Sequence, residues 1–179
     1  ARAAGADIIV TMLHTGNAYQ AYPSAHTVAN FHRIFEETGS DIILGYHPHN
    51  AQPMEKYAFK DPFTKEEKQG FAIYSTADFI AYDIFVWDRM IPLLKLKFQQ
   101  SSLTGKTKLI EIELKPTYMW GTKFPEKGNE EIRMLDLKKL IKSLESQQIP
   151  SFLDTLSIEE AFYLNDFCNR YFLPENFKN

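Results

Sequence analysis

Residues 41–49 read DIILGYHPH, a short apolar run that gives way to a loop with two histidines. The apolar run predicts a buried strand. His47 and His49 then lie just past its end, on the same side of an extended backbone, with Cα atoms roughly 6.5 Å apart. Neutral imidazoles that converge at a strand end can bind a transition metal. Two nearby histidines are also common in surface loops, so the neighbouring segments must decide.

A strand and a helix are predicted before this run. Residues 7–13 (DIIVTML) are β-branched and apolar, which is typical of a strand buried on both faces, and His14 follows them. Ser24 is suited to cap a helix that extends to Thr38, and Gly39 is suited to end it. The first half of the chain therefore predicts a strand–helix–strand unit.

This unit gives the histidines a common location. Strand–helix–strand units with short connections are parallel and right-handed, so both strands end at the same edge of the sheet. His14 follows one strand, and His47 and His49 follow the other. Open α/β sheets bind ligands at this edge. The alternative to a ligand-binding role for His14 is a structural one, in which this strand-end histidine bonds to the backbone. We expect His26 and His32, on the predicted helix, to be surface or partly packed residues.

The middle of the chain predicts a loop, a strand and a hairpin. Residues 59–70 are polar and charged and predict a loop, and residues 71–74 predict a third short strand. Residues 93–98 and 109–114 alternate between apolar and charged side chains, with Gly105 between them, which predicts an antiparallel hairpin. Opposite charges should face solvent along it, from Lys95, Lys97, Glu111 and Glu113.

Two helices are predicted near the end of the chain, over residues 135–147 and 157–172, the second with a capping box of Ser157 and Glu160. The chain is therefore of the α/β class, with a parallel βαβ unit, an antiparallel hairpin and C-terminal helices. We expect residues 1–179 to form a single domain or the C-terminal part of a larger one. Within it, residues 1–90 carry the histidines, 91–125 the hairpin and 126–179 the helical part.

Composition excludes several classes of function. The chain has 179 residues and is 44% hydrophobic, enough for a real core. A net charge of −3 without a block of Lys or Arg argues against nucleic-acid binding, and the apolar runs are too short to span a bilayer. Cys168 is the only cysteine, and we expect it in the core. Residues 1–6 resemble the last turn of a helix that ends at Gly5, so we expect a preceding segment.

Several stretches occur in the order found in one bacterial family. Residues 6–10 (ADIIV) lead to 14–16 (HTG), residues 39–49 (GSDIILGYHPH) precede Gln52-Pro53, and residues 73–79 read IYSTADF. The pattern resembles the CapA (poly-γ-glutamate capsule synthesis) family. That family has a strand ending in H-W-G, a G-A-D-x-V-x-G-x-H-P-H segment followed by V-L-Q-P, and a Y-S-L-G-N-F segment. The resemblance covers about residues 6–90.

The resemblance implies a metallophosphoesterase-like, calcineurin-like fold, a four-layer α/β/β/α sandwich of which this chain would be the C-terminal half. It also implies that His14, His47 and His49 are metal ligands and catalytic residues. The cofactors would be divalent Mn, Zn or Fe ions, in a two-metal site with ions ~3.5–4 Å apart. The acidic ligands would come from an N-terminal half that these residues lack, so this fragment alone should be inactive or nearly so.

Two departures from the family pattern bear on activity. Ala18 precedes Tyr19 where the family often has Glu, and Thr76-Ala77-Asp78 stands where it has L-G-N. The candidates for substrate binding are Tyr19, Tyr74 and Asp78. The tyrosines are also suited to the core, and Asp78 is also suited to an ordinary loop. We expect Gln52 to fix the loop rather than to bind substrate.

Three functions stay open at this point. The first is a metal-dependent hydrolase of the phosphoesterase type in cell-envelope or capsule polymer metabolism. The second is a non-catalytic scaffold of a polymer synthesis or export complex with a degenerate metal site, and the third is a small carbohydrate- or peptide-binding module. The expected partners are the absent N-terminal half or another copy of the chain, and an envelope polymer or phosphoester substrate. The expected location is the cell envelope or the exterior, with a membrane anchor in the preceding region.

Overall fold

Two β-sheets form the framework of the protein in a computed structural model. The structure describes residues 1–81, 85–122 and 131–172, and it describes residues 171 and 172 by their backbone alone. The first sheet contains β1 (Val10–His14), β2 (Ile42–Tyr46), β3 (Ala51–Lys60) and β4 (Glu67–Thr76), in the order β1-β2-β4-β3. The second contains β5 (Met90–Gln100), β6 (Thr107–Gly121) and β7 (Ile132–Asp136), all antiparallel. The predicted α/β class is confirmed, with one mixed sheet and one antiparallel sheet.

Helix α1 (Ala25–Thr38) joins β1 to β2 and begins and ends where the sequence predicts. Ser24 Oγ accepts a hydrogen bond from the Thr27 N–H, and Gly39 ends the helix in the left-handed conformation at φ 64°. Phe31 and Phe35 pack from the helix against one face of the first sheet, and both are fully buried. Because β1 and β2 pair in parallel, the predicted βαβ unit is confirmed.

Residues 59–70 do not form the loop that their polarity predicts. Strands β3 and β4 are an antiparallel hairpin, and only residues 61–66 turn between them. The Asp61 carboxylate shapes this turn, since it accepts the backbone N–H groups of Phe63 and Thr64. The predicted strand 71–74 lies inside β4, which also pairs with β2.

The predicted hairpin β5–β6 is confirmed, and both of its strands are longer than predicted. Lys95 lies opposite Glu113 and Lys97 opposite Glu111, with N–O distances of 3.5 and 3.3 Å. Gly105 lies in the connecting turn at φ 68°. Strand β7, which the sequence does not predict, pairs with the far edge of β6.

Helices α2 (Leu137–Glu145) and α3 (Thr155–Phe167) confirm the two predicted helices, although α2 is shorter at both ends and α3 begins two residues earlier and ends five residues earlier than predicted. The predicted capping box is wrong, because Asp154 caps α3 by accepting the Ser157 N–H. Ser157 Oγ instead accepts a hydrogen bond from Trp120 Nε1 at 2.9 Å. Glu160 pairs with Arg89 at 3.1 Å, which attaches the helix to the start of β5.

The main apolar core joins both sheets to α2 and α3. It includes Phe71 of the first sheet, Tyr118 of the second and Leu164 of α3, all fully buried. Cys168 lies in the same cluster, as expected, and burial raises the pKa of its thiol to about 11. Apolar side chains pack on both faces of the central strands β2 and β4 of the first sheet, whereas β1 lies at its edge and is partly exposed.

The first residues form a short helical turn, Arg2–Ala4, which ends at left-handed Gly5 as the sequence predicts. Arg2 binds the Asp41 carboxylate at 2.6 Å and so attaches this turn to the amino end of β2. Among the described residues, no helix is long and apolar enough to cross a membrane.

Candidate functional site

His14 and His47 meet at the carboxyl edge of the first sheet. The parallel register places His14, the last residue of β1, beside Tyr46, the last residue of β2. His47 follows by one residue, and its Nδ1 lies 2.9 Å from His14 Nε2. The ring centroids are 4.6 Å apart. The expectation that these two histidines share one edge of the sheet is confirmed.

His49 reaches the same edge but pairs with a carboxylate. The β3–β4 register sets Ala51 opposite Thr76, so the residues two positions beyond each strand end, His49 and Asp78, face each other. His49 Nδ1 donates to Asp78 Oδ2 at 2.8 Å, and the Asp78 N–H donates to the His49 carbonyl at 3.2 Å. The His49 ring centroid lies 6.0 Å from that of His47. The antiparallel hairpin therefore brings Asp78 into the site.

Tyr19 lies over the His49 ring. The two rings are stacked with centroids 5.1 Å apart and planes 17° from parallel. The Tyr19 N–H donates to the Pro48 carbonyl at 2.8 Å, which ties the two loops together. The side chain is about half exposed, so one face of its ring contacts His49 while the residue also borders solvent.

Two buried amides fix the loop that carries Tyr19. Asn50 Nδ2 and Gln52 Nε2 both donate to the Gln20 carbonyl, at 2.9 and 2.7 Å. Both side chains are 2% exposed. The expected loop-fixing role of Gln52 is confirmed. The sequence does not mark Asn50, and its place directly after the histidine pair is its one signal.

The backbone of this edge is strained. Tyr19, His47, His49 and Ala77 have φ values of 62°, 122°, 69° and 59°. Residues other than glycine rarely adopt such φ values, and residues held in these conformations cluster at functional sites. Ala77 occupies the position of glycine in the family's L-G-N, and it keeps a conformation that glycine adopts without strain.

Tyr74 lies elsewhere. Its ring is buried beneath α1 against Phe31, and its hydroxyl donates to Glu55. Burial, followed by this hydrogen bond, raises the pKa of Tyr74 well above its usual value. The structure therefore does not place Tyr74 with the histidines. His32 also bonds to Glu55, at 2.7 Å, and His26 lies exposed on α1, as expected for helix residues outside the site.

The donor set fits a partial metal site. His47 Nδ1 and His14 Nε2 share a hydrogen bond at 2.9 Å, and without the shared proton two nitrogens at this spacing can bind one ion, since a Zn–N bond is about 2.0–2.1 Å long. Imidazole suits Zn, Fe and similar ions. The side chains divide into two pairs, His14 with His47 and His49 with Asp78. Within the described part of the chain, no group of three or more His, Cys, Asp or Glu side chains is ready to hold an ion.

Known proteins share the segment that builds this edge. Residues 1–83 match the family model described as bacterial capsule synthesis protein PGA_cap. This segment, a little under half of the chain, is similar to that family. The predicted family resemblance is confirmed for it, and every residue of the histidine edge described above lies within the PGA_cap segment. The hairpin β5–β6 and the two C-terminal helices lie beyond it.

Two relatives support the same assignment. The chain is 33% identical over 75 residues to "Capsule biosynthesis protein CapA" of Bacillus anthracis, which covers 42% of this chain and 16% of that protein. It is 38% identical over 52 residues to "PGA biosynthesis protein CapA" of Bacillus subtilis (strain 168), which covers 29% of this chain and 13% of that protein. The chain therefore matches only a small part of each relative's length. No solved structure matches the chain.

Proposed function

We propose that this chain is part of a capsule or poly-γ-glutamate synthesis protein, and that its histidine edge supplies ligands to a divalent metal site for phosphoester hydrolysis. The observation that carries the proposal is the 2.9 Å approach of His14 Nε2 to His47 Nδ1 at the ends of neighbouring parallel strands. The family of the segment and the names of its relatives support the capsule role.

Each residue of the edge has a task that follows from its contacts. His14 and His47 would bind an ion through the nitrogens that now face each other. His49, whose Nδ1 donates to Asp78, would bind through Nε2. A bound divalent ion lowers the pKa of a water ligand and polarises a phosphoryl oxygen. Tyr19, half-exposed beside His49, would contact the substrate.

The site needs carboxylates from outside these residues, because neutral imidazoles do not offset the charge of divalent ions. Val10 and Met12 of β1 are 49% and 70% exposed and form an apolar surface at the edge of the first sheet. Such surfaces promote association. We propose that the N-terminal half of a four-layer α/β/β/α sandwich, or another copy of the chain, covers this surface and supplies the acidic ligands. The protein would act at the cell envelope or outside it.

Metal uptake and hydrolysis by the intact natural protein that contains these residues test the proposal. Equilibrium dialysis with Mn²⁺ or Zn²⁺ should show bound metal, and bis(p-nitrophenyl) phosphate should be hydrolysed. His47→Ala should lower hydrolysis at least about 100-fold, because losing a ligand exceeds the 10–100-fold effect of an outer-shell partner. His26→Ala, an exposed histidine on α1, is the matched control. No metal uptake by the intact protein would overturn the proposal.

A scaffold role is the second candidate, and particular residues favour it. Ala18 and Asp78 replace the residues that the family pattern has at these positions. The site side chains form one His–His pair and one His–Asp pair rather than a single cluster. A scaffold predicts that capsule polymer production survives His47→Ala. It also predicts that polymer production fails in Met12→Glu, which places a charge on the apolar surface of β1. The hydrolase proposal predicts loss of polymer production in both variants.

A further inference from the structure

The His49 ring is held on two sides that do not depend on a metal. Its edge donates from Nδ1 to Asp78 Oδ2 at 2.8 Å, and its face stacks on Tyr19 with planes 17° from parallel. Asp78 is tied back to the same residue, since its N–H donates to the His49 carbonyl. A ring with one fixed edge and one covered face has little freedom to turn about its side-chain bonds.

The surrounding backbone makes this arrangement specific. The β3–β4 register puts His49 opposite Asp78, and Ala77 holds a left-handed conformation next to the carboxylate. Tyr19 is held by its own N–H bond to the Pro48 carbonyl. Its neighbour Gln20 accepts hydrogen bonds from two buried amides. Two separate segments, the residues after β4 and the loop between β1 and α1, therefore converge on one imidazole, although each strained residue costs free energy.

We infer that Asp78 and Tyr19 are positioning residues for His49, which select one tautomer and one orientation of its ring. An ionised carboxylate only accepts hydrogen bonds, so the proton of the neutral imidazole must lie on Nδ1. Nε2 then carries the lone pair with which His49 would bind a metal ion. Carboxylate partners of this kind fix metal-binding histidines in many proteins. The metal-binding part of this inference rests on the proposed function, and the tautomer part does not.

The inference changes the role expected for Asp78. Its Oδ2 is engaged by His49, so its first effect on chemistry passes through that ring rather than through a substrate. Asparagine at the same position would still offer an oxygen to Nδ1, but without the negative charge that strengthens the bond. Asp78→Asn is therefore the conservative variant, and Asp78→Ala is the disruptive one.

The tautomer is measured by long-range ¹H–¹⁵N spectra of the metal-free intact protein with ¹⁵N-labelled histidine. The spectra are recorded at an alkaline pH at which the histidine signals no longer change with pH. Wild type should show His49 with its proton on Nδ1. Asp78→Ala should give a mixture of tautomers, and Asp78→Asn should restore the wild-type form in large part. An unchanged His49 spectrum in Asp78→Ala would overturn the inference.

Tyr19 is tested by a matched pair of substitutions. Tyr19→Phe keeps the stacked ring and should leave the His49 signals in place, whereas Tyr19→Ala should broaden or shift them. Unchanged signals for the remote His26 and His32 in every variant show that the fold is intact. If Tyr19→Ala leaves His49 unchanged while those remote signals are also unchanged, the role of Tyr19 is wrong.

Zinc affinity separates this inference from the proposed function. In competition with a chromophoric chelator, Asp78→Ala should weaken Zn²⁺ binding by the intact protein about 10–100-fold, with Asp78→Asn between it and wild type. A tautomer change with unaltered affinity would overturn the link between Asp78 and the metal. If wild type binds no zinc, the proposed function fails, and the spectra still decide whether Asp78 and Tyr19 position His49.

Discussion

The two hairpins of this protein differ in where they keep their charges. In β3–β4, Lys68 is 20% exposed and lies 2.8 Å from Asp41 and 3.6 Å from Asp61, whose side chains are 14% and 11% exposed. In β5–β6, Lys97 and Glu111 pair at 3.3 Å with exposures of 62% and 56%. The hairpin with enclosed charges is also the one whose strand ends lead to His49 and Asp78. This comparison teaches that the hairpin with enclosed charges, rather than the one with exposed ion pairs, places His49 and Asp78 at the candidate site.

The largest expected effect on stability comes from adding a methyl group to a glycine of the β3–β4 hairpin. A Cβ added at Gly70 of β4 would lie 2.4, 2.7 and 2.9 Å from three ring atoms of Phe35, which is fully buried beneath α1. Overpacking of this kind costs about 3 kcal/mol when neighbours cannot yield. We expect Gly70→Ala to lower the free energy of unfolding by about that amount, measured by urea denaturation.

Gly105→Ala in the β5–β6 turn is the matched control. A Cβ there would meet no atom within 4 Å, and only its φ of 68° opposes a side chain. The expected loss is about 1 kcal/mol, from the left-handed conformation alone. Equal losses in the two variants would show that the hairpins are equally tolerant and would remove the basis of the comparison.

The second prediction concerns the Asp61 carboxylate in the β3–β4 turn. Burial by itself raises the pKa of Asp61, but the N–H groups of Thr64 and Phe63 and the Lys68 ammonium outweigh it and leave the pKa below its usual value. A lowered pKa in the folded state stabilises the fold at pH values above the unfolded value of about 3.9. This stabilisation is lost as the pH falls through the folded pKa.

Asp61→Asn should therefore cost about 1.5 kcal/mol at about pH 7, since it weakens hydrogen bonds to a charged group. The difference from wild type should begin to shrink below about pH 4, where the carboxyl of the unfolded chain gains its proton, and should disappear once the pH is below the lowered folded pKa. Urea denaturation at both pH values measures it. Asp166→Asn, at an exposed ion pair on α3, should change stability little at either pH. A loss from Asp61→Asn that is the same at both pH values would contradict the charge argument.

The third prediction tests the strain next to β4. Ala77 holds φ 59°, which a side chain opposes by roughly 1–2 kcal/mol. Ala77→Gly removes that cost but loses a methyl group that packs on the core and gains entropy in the unfolded chain. We expect the free energy of unfolding to rise by roughly 0.5–1 kcal/mol. Thermal melting measures this gain, since each kcal/mol raises Tm by about 2–4 °C in a chain of this size.

An ordinary helical alanine provides the control for Ala77. Ala29 lies exposed on α1, and Ala29→Gly should lower stability by about 1 kcal/mol through helix propensity. Opposite signs at the two positions would confirm that Ala77 stores backbone strain. A loss of stability from Ala77→Gly would show that its packing outweighs its conformation.

The same comparison explains what the sequence could predict. Hairpin β5–β6 was predictable because its apolar and charged residues alternate with the period of a strand. In β3–β4, residues 70–75 are buried on both faces while residues 60–69 are mainly polar, so no alternation marks the pair. Without β3 the sequence offered no register between His49 and Asp78. The contact that fixes His49 was therefore beyond prediction, although both residues were candidates.

The helix caps were predictable where only one suitable residue lies at the end of the helix. Ser24 and Gly39 bound α1 as predicted, because each stands alone at its end of the helix. At α3 both Asp154 and Ser157 are suited to cap, and Asp154 takes that position. The positive φ values of Tyr19 and His47 carry little sequence signal, since only a few per cent of residues other than glycine adopt them. The edge location of the histidines was predictable, and the direction of each ring was not.

The smallest expected effect completes the comparison at the exposed pair Lys97 and Glu111. A double-mutant cycle with Lys97→Ala and Glu111→Ala should give a coupling of about 0.5 kcal/mol or less, because water screens charges that are more than half exposed. The coupling should vanish at about 1 M NaCl, where the Debye length is about 3 Å. A coupling above about 1 kcal/mol that survives salt would mean that β5–β6 is as tightly organised as β3–β4. The location of His49 and Asp78 on the more enclosed hairpin would then need another physical cause.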